Sequence, residues 1–442
     1  MAKLVVRGGN TLRGRVAVSG SKNSALGILA AAALADGESV LDNVPPHTDI
    51  FTMCRILREL GARVYVDEKD RFHVDGSGIS NTKPSYDLVR KMRASFYAAG
   101  LLLARLGEAE VPLPGGCAIG SRPVDYHIRG FEQLGAEVSI EHGYMKARAK
   151  KLSGAKIYVN RASVGTTVNL ILAAALSEGT TVLENAAKEP EIVDLCIYLN
   201  AMGANIRGAG TEVIKIQGVK SLRPAEYGII ADRIECTTYM IAVGAAGGEV
   251  TLHNVVPEHL RTPIAKLTEA GLHIEEGDSE ILVRSHKRPR AVDVETAVYP
   301  GFPTDLQQPF VAMMSVAEGT SIVRETIFSD RFRYVDELRR MGADIKVEQD
   351  SAIVRGVATL TGAPVEVPDL RAGAALVVAA LAADGETEIH NSEILERGYE
   401  RLGEKLAALG AEVISEETGK DRELRFAEFR RPAEQPVEAK RS

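Results

Sequence analysis

The sequence predicts an α/β protein of two domains, each assembled from three β-α-β-α-β-β units. Three observations predict it. First, a helix ending in an apolar residue followed by glycine recurs six times: "ELGARVYV", "QLGAEVSI", "AMGANIRG", "EAGLHIEE", "RMGADIKV" and "ALGAEVIS". The glycines are 61, 135, 203, 271, 342 and 410, a period of about 70 residues. Second, another marker runs ahead of each glycine in phase: "LADGESVLDN", "ARLGEAEVPL", "LSEGTTVLEN", "AAGGEVTLHN", "VAEGTSIVRE" and "AADGETEIHN". Third, 442 residues suit two domains of three such units.

Each unit decodes in the same order. A short strand leads into an Ala-rich helix that stops at a glycine. A β-rich segment follows, as at 39–41. An amphipathic helix comes next; in the first unit Ile50, Met53, Ile56, Leu57 and Leu60 share one face. A glycine in the left-handed C-terminal position ends it. A hairpin closes the unit, as at 63–66 and 71–74 around a charged turn. The first three units span 20–229 and the last three 230–418, with the join near 227–231. Residues 1–19 are assigned to the second domain as an added strand, so the chain crosses twice and forms a hinge. Residues 419–442 are highly charged and are expected to fray.

Composition bounds the function. Hydrophobic residues make up 45% and charged ones 26%, ordinary for a globular protein. A net charge of -7 argues against a general nucleic-acid binder. The apolar stretch 25–35 is too short to span a bilayer, and "MAKLVVRGGN" has no signal core, so no membrane insertion is expected. Cys54, Cys117, Cys196 and Cys236 form no CxxC, which reads as a reducing cytoplasm without a metal cluster. Packing explains Cys54, Cys196 and Cys236.

The first strand-to-helix junction of each unit carries polar or charged residues: Lys22 and Asn23; Arg93; Arg161 and Ser163; Asp232, Arg233 and Glu235; Asp305; Asp369 and Arg371. N-capping accounts for the Ser, Asn and Asp. It does not account for the cations, which oppose the helix dipole. Helix N-termini with added cations form a site for phosphate-type anions. A pseudo-threefold arrangement of each domain would bring the junctions to one surface, two such surfaces facing across the hinge. Arg331 in "SDRFRY" and Arg397 in "ERGYERL" are further candidates. Glu189 and Glu191 in "KEPEIVD" serve equally as cleft acids or first-turn helix acids.

"PLPGGCAIGSRPVDYH" places Cys117 on a stretch with Gly115, Gly116 and Gly120 but no helix or strand periodicity. This is the composition of a mobile lid. Arg122 and a cationic cleft would lower the thiol pKa and activate it.

These motifs carry a family resemblance. "VRGGNTLRGRVAVSGSKNSA" through "ERGYERLGEKLAALGAEV", and above all "GGCAIGSRPVD", "ENAAKEPEIVD", "PGFPTDLQ" and "DLRAGAAL", resemble the UDP-N-acetylglucosamine 1-carboxyvinyltransferase family, enolpyruvyl transferases of peptidoglycan precursor synthesis. The resemblance covers nearly the whole chain. It implies an inside-out α/β barrel, two domains of three repeats with the cleft between them. It implies two small-molecule substrates, phosphoenolpyruvate and UDP-N-acetylglucosamine, with no cofactor and no metal. Lys22, Asn23, Arg122 and Arg397 would hold phosphoenolpyruvate. Arg93, Arg122, Pro123, Val124, Asp125, Tyr126, Arg161, Ser163, Val164, Asp305 and Ile327 would hold the nucleotide sugar. Asp305 would be the base for the 3-hydroxyl, and Cys117 the lid thiol, either proton donor to C3 or an aid to product release, and the target of fosfomycin. Asp232, Glu189, Arg331, Asp369 and Arg371 would support these groups. The sequence leaves the oligomeric state open.

The chemistry suits these types. The acceptor hydroxyl loses a proton as it adds to C2, C3 gains one, and phosphate leaves; cations in a closed cleft stabilise the charge. Arg161 stands where the family also has lysine and Tyr299 where histidine is common. Two alternatives therefore stay open: transfer to another uridine nucleotide, and a non-catalytic nucleotide-binding paralogue.

Overall fold

In this computed structural model the described residues are 2–114, 124–415 and 420–430. Cys117, Arg122 and Pro123 lie outside them, as do 416–419 and 431–442.

The Ala-rich helices are buried almost all round, as an all-apolar helix must be. Lys22–Ala32, Tyr97–Leu106 and Val164–Ala175 pack together in one domain. Arg233–Ala246, Gln307–Met314 and Leu370–Ala382 pack together in the other. The sheets lie outside them. Their strands alternate buried and exposed side chains, as in Val213–Gln217, so one face covers the helices and the other meets water. Helices inside and sheets outside make the inverted barrel that the motifs imply. All six repeat glycines adopt positive φ, between 89° and 111°, at the ends of the amphipathic helices. The period seen in the sequence is thus the period of a left-handed helix stop.

The third repeat shows the sheet plan. Lys156–Tyr158 pairs parallel with Thr180–Glu184, which pairs antiparallel with Val213–Gln217, and Asn205–Arg207 forms the outer edge. Four repeats depart from the order expected of every unit. The second has no lead strand among the described residues; its sheet is Glu108–Pro112, Tyr144–Arg148 and Glu137–Glu141. The segment ahead of it contains Pro84, which has no N–H for a ladder, and makes one backbone bond there, Glu110 N to Thr82 O at 2.9 Å. The first and fourth repeats exchange lead strands. Leu12–Ala17 pairs parallel with Gly248–His253, and Glu226–Gly228 pairs parallel with Glu38–Asp42. Where the chain crosses, Ser21 N donates to Ile230 O at 2.7 Å and Asp232 N to Ser19 O at 2.8 Å. The sixth repeat takes its inner hairpin strand from the N-terminus: Lys3–Arg7 lies between Glu386–His390 and Glu412–Ser415.

Two apolar cores result. One runs from Ala25 to Ile229; the other joins Leu4 to Val18 with Ala231 to Ala411. The expectation that the tail frays is corrected for 420–430. Lys420–Phe429 is a helix, and Phe426 and Phe429 belong to the first core. Their i, i+3 spacing puts both rings on one face, against Phe51 at 5.4 and 5.5 Å. Two phenylalanines in "RELRFAEF" outweigh its charge, because they cover apolar surface that the helix Thr48–Leu60 would otherwise expose.

Candidate active site

A cleft of about 570 Å³ opens between the two domains. It is lined by the N-terminal ends of the central helices, so the six junctions meet at one place. Lys22, Arg93, Arg161, Arg233, Arg331, Arg371 and Arg397 line it, with Asp49, Glu189, Glu191, Asp305 and Asp369 among them.

The first polar group is built on Asp49. This carboxylate sits in the first turn of Thr48–Leu60, where the helix dipole favours it, and is 5% exposed. Its Oδ2 accepts from Lys22 Nζ at 3.2 Å and its Oδ1 from Arg397 Nε at 2.9 Å. Lys22 opens its own helix, with Ser21 as N-cap accepting from Ser24 N. Arg397 ends the short 3-10 segment Ser392–Arg397 of the other domain. Burial lowers the Lys22 pKa; Asp49 opposes this, while Arg371 and Arg397 add to it. The lysine is thus held in place but is more easily deprotonated than an ordinary one.

The second group is built on Asp305, in the turn Thr304–Leu306. Arg331 Nη2 donates to Oδ1 at 2.7 Å, and Arg371 Nε and Nη2 donate to Oδ2 at 3.1 and 3.0 Å. Burial alone would raise this carboxyl, but Arg371 and Arg331 together hold it far below the usual carboxylate range. Arg331 also donates to Thr304 Oγ1 at 2.6 Å. Glu325 organises the same corner: it is 3% exposed and accepts from Thr296 Oγ1, Thr304 Oγ1, Ile327 N and Phe328 N.

The remaining wall is formed by Arg93, Val124, Tyr126, Arg161, Ser163, Val164 and Ile327. Arg161 Nη2 reaches across the domains to Thr326 O at 3.1 Å and Ile327 O at 2.8 Å. Ser163 caps Val164–Ala175, accepting from Thr166 N. His127 lies beneath this wall; Asn169 Nδ2 meets its Nδ1 at 3.0 Å. Burial, helped by Arg93, pushes its pKa down to about 3, so the ring is neutral. Asn23 also faces the cleft, and Asp125 opens the helix Asp125–Gln133 beside it.

The other candidates lie in or behind the cleft wall, at helix starts or in contacts between the domains. Asp369 caps Leu370–Ala382 through Arg371 N and Ala372 N. Asp232 caps Arg233–Ala246, and its Oδ2 accepts from Lys22 N at 3.3 Å, tying the two helix starts together. Glu235 is buried behind the cleft and pairs with Lys405 at 2.8 Å. Arg233 pairs across the domains with Glu191 at 3.1 Å and lies under the Tyr299 ring at 5.5 Å. Glu189 is held beside them with its pKa raised by burial. Asp49 and Glu325 were missed in the sequence. Asp49 reads there as a first-turn helix acid, and Glu325 lies on no helix start.

A larger depression of about 900 Å³ lies at the opposite ends of the second domain's helices. It holds none of the candidate residues, and its Arg288 is engaged with the carbonyls of Val316, Ala317 and Val357. Among the described residues no group of three or more His, Cys, Asp or Glu could hold a metal ion, and no helix is long and apolar enough to cross a membrane.

Comparison with known proteins gives a consistent result. The family profile "EPSP synthase (3-phosphoshikimate 1-carboxyvinyltransferase)" matches residues 6–406. The chain is 57% identical over 414 residues to UDP-N-acetylglucosamine 1-carboxyvinyltransferase 2 of Symbiobacterium thermophilum, taking in 93% of this chain and 97% of that one. It is 51% identical to the Clostridium acetobutylicum protein named UDP-N-acetylglucosamine 1-carboxyvinyltransferase 2, covering 94% of this chain and 100% of that one. Among solved structures it is similar to the enolpyruvyl transferase NikO from Streptomyces tendae, with a TM-score of 0.85, 28% identity, and 94% and 98% coverage. EPSP synthase from Acinetobacter baumannii, at 18% identity, a TM-score of 0.73, and 94% and 100% coverage, shares the fold.

Proposed function

The chain belongs to the 1-carboxyvinyltransferase family, with the UDP-N-acetylglucosamine 1-carboxyvinyltransferases as its relatives, and on that footing we propose that it transfers the enolpyruvyl group of phosphoenolpyruvate to the 3-hydroxyl of UDP-N-acetylglucosamine. The acceptor oxygen bonds to C2 as its proton passes to a base, and C3 takes a proton. C2 of the tetrahedral intermediate then expels phosphate as C3 gives a proton back, restoring the vinyl group.

Lys22 and Arg397 take the phosphate and carboxylate of phosphoenolpyruvate, with Arg122 and Asn23 assisting. A cation from each domain then acts on one small anion, so binding favours closure. Asp305 serves as the base for the 3-hydroxyl. A carboxylate is too weak a base to take an alcohol proton in advance, so proton transfer accompanies C–O bond formation and does not precede it. Arg331 and Arg371 keep Asp305 ionised and aimed. Arg93, Arg122, Pro123, Val124, Asp125, Tyr126, Arg161, Ser163, Val164 and Ile327 receive the nucleotide sugar. Cys117, outside the described residues, is the lid thiol of this reading, either proton donor to C3 or an aid to product release. This is the first committed step of peptidoglycan synthesis, supporting cell shape and division, and we place it in the cytoplasm.

The supporting observation is that the Lys22–Asp49–Arg397 junction and the clamped Asp305 line one cleft. The test is phosphate release from phosphoenolpyruvate with and without the acceptor. Release that requires UDP-N-acetylglucosamine supports the reading. Faster release with a different uridine nucleotide reassigns the acceptor, dependence on shikimate 3-phosphate reassigns the branch of the family, and binding without release removes the enzymatic reading.

A further inference from the structure

We propose that the C-terminal helix Lys420–Phe429 is a strap that sets how firmly the two domains close over the cleft, with Arg425 as its positioning residue. The proposal rests on the reading of the cleft as the site of transfer. The helix is anchored on the first domain. Phe426 and Phe429 pack on Phe51, Arg58 lies over the Phe429 ring at 3.9 Å, and Arg55 Nη2 pairs with Glu428 Oε2 at 2.6 Å.

From that seat Arg425 reaches both domains at once. Its Nη1 donates to Thr48 Oγ1 at 2.5 Å, and its Nη2 pairs with Glu396 Oε2. Thr48 immediately precedes Asp49, and Glu396 immediately precedes Arg397. The ion pair Asp49–Arg397 spans the domains inside the cleft. Arg425 repeats that span one residue back on each side. The strap therefore holds the two short segments whose next residues meet in the site.

An ion pair at an open surface contributes little. The Arg425 side chain is 15% exposed, against 38% for its partner Glu396, and is carried on a helix already fixed by two buried rings, so little is lost in ordering it. Closure is a two-state equilibrium, and a ligand that binds the closed form has its apparent affinity scaled by the closed fraction. Weakening the strap should act on that fraction and leave chemistry in the closed state unchanged. The strap lies past residue 406, where the family profile ends, and the whole length of the Clostridium acetobutylicum relative is matched without using all of this chain.

The test uses full-length Arg425→Ala and Arg425→Lys, with Leu424→Ala on the exposed side of the same helix as control. The readouts are KM for phosphoenolpyruvate, kcat, melting temperature, and radius of gyration by small-angle scattering without ligand. For Arg425→Ala we expect KM to rise about fivefold or more with kcat within about twofold, and the unliganded particle to expand. Lysine should recover part of both, and Leu424→Ala should match wild type. A lower melting temperature with KM and radius of gyration unchanged would reduce the helix to a packing role and overturn the proposal, as would a more compact Arg425→Ala particle. If the wild-type chain shows no transfer at all, the functional reading fails, and the scattering comparison still decides the strap.

Discussion

Arg397 of the second domain donates its Nε to Asp49 of the first at 2.9 Å, although 348 residues separate them. Lys22 Nζ shares the same carboxylate at 3.2 Å. Two cations that would repel each other are thus held on one acid. The dipole of Thr48–Leu60 favours the acid in its first turn.

Asp49 partly offsets the effect of burial on Lys22. Burial already lowers that lysine, and the Asp49 charge opposes the effect. Asp49→Asn removes the opposing charge, so the Lys22 pKa falls further. The alkaline limb of kcat/KM for phosphoenolpyruvate should move to lower pH, with activity at pH 8 down on the order of tenfold or more. A pH–rate profile checks this, and an unmoved alkaline limb would separate Lys22 from the reaction.

Asp305→Asn should retain nucleotide binding by calorimetry and lose on the order of a hundredfold or more in turnover. Its folded pKa is depressed, so the ion pairs with Arg371 and Arg331 stabilise the fold above the unfolded carboxyl value of about 4 and fade as pH falls through the lower folded value. The melting-temperature gap between wild type and variant should be full at pH 7 and narrow in strong acid. Asp305 stays ionised across the working range, so any acid limb in the wild-type profile belongs to another group. Full turnover by Asp305→Asn would remove the base assignment.

The thiols should react very unequally. Cys54 and Cys196 are buried with pKa values pushed up to about 12, and burial raises Cys236 as well. Treating the folded protein with the epoxide fosfomycin and digesting it for mass spectrometry should place the adduct on the Cys117 peptide alone. The other three should label only after unfolding. An adduct on Cys54 in the folded state, or none on Cys117 at saturating epoxide, would contradict an activated lid thiol.

Two repeat glycines provide a test of the helix stops. Both Gly61 and Gly135 have positive φ, but a Cβ at Gly61 would lie 2.3 Å from Gly78 O, while nothing lies within 4 Å of one at Gly135. Gly135→Ala should cost about 1 kcal/mol through backbone strain. Gly61→Ala should cost more, by about 1–3 kcal/mol, because backbone must shift as well. Urea unfolding of the two variants checks the order, and equal losses would mean that the Gly61 contact relaxes freely.

Much of the site was legible because the repeat places it. Asp305, Arg371, Arg161 and Lys22 stand at corresponding helix starts, and a cation there breaks the dipole rule visibly. Asp49 breaks no rule, since an acid in a first helical turn is ordinary. Glu325 shows its role only through the four donors that the folded loop brings to it. The helix Lys420–Phe429 was hidden by its charge, because two phenylalanines matter only where a receiving surface exists.

Local information alone determined the unit: which segments are helices, where glycine stops them, how many units there are, and which cations stand at the helix starts. These follow from periodicity and backbone conformation within a few residues. Tertiary structure alone decided which sheet each lead strand joins, that the N-terminus completes the sixth repeat, and that Asp49 meets Arg397. Those depend on contacts between distant residues, where many pairings satisfy the same local pattern and only the packed whole selects one.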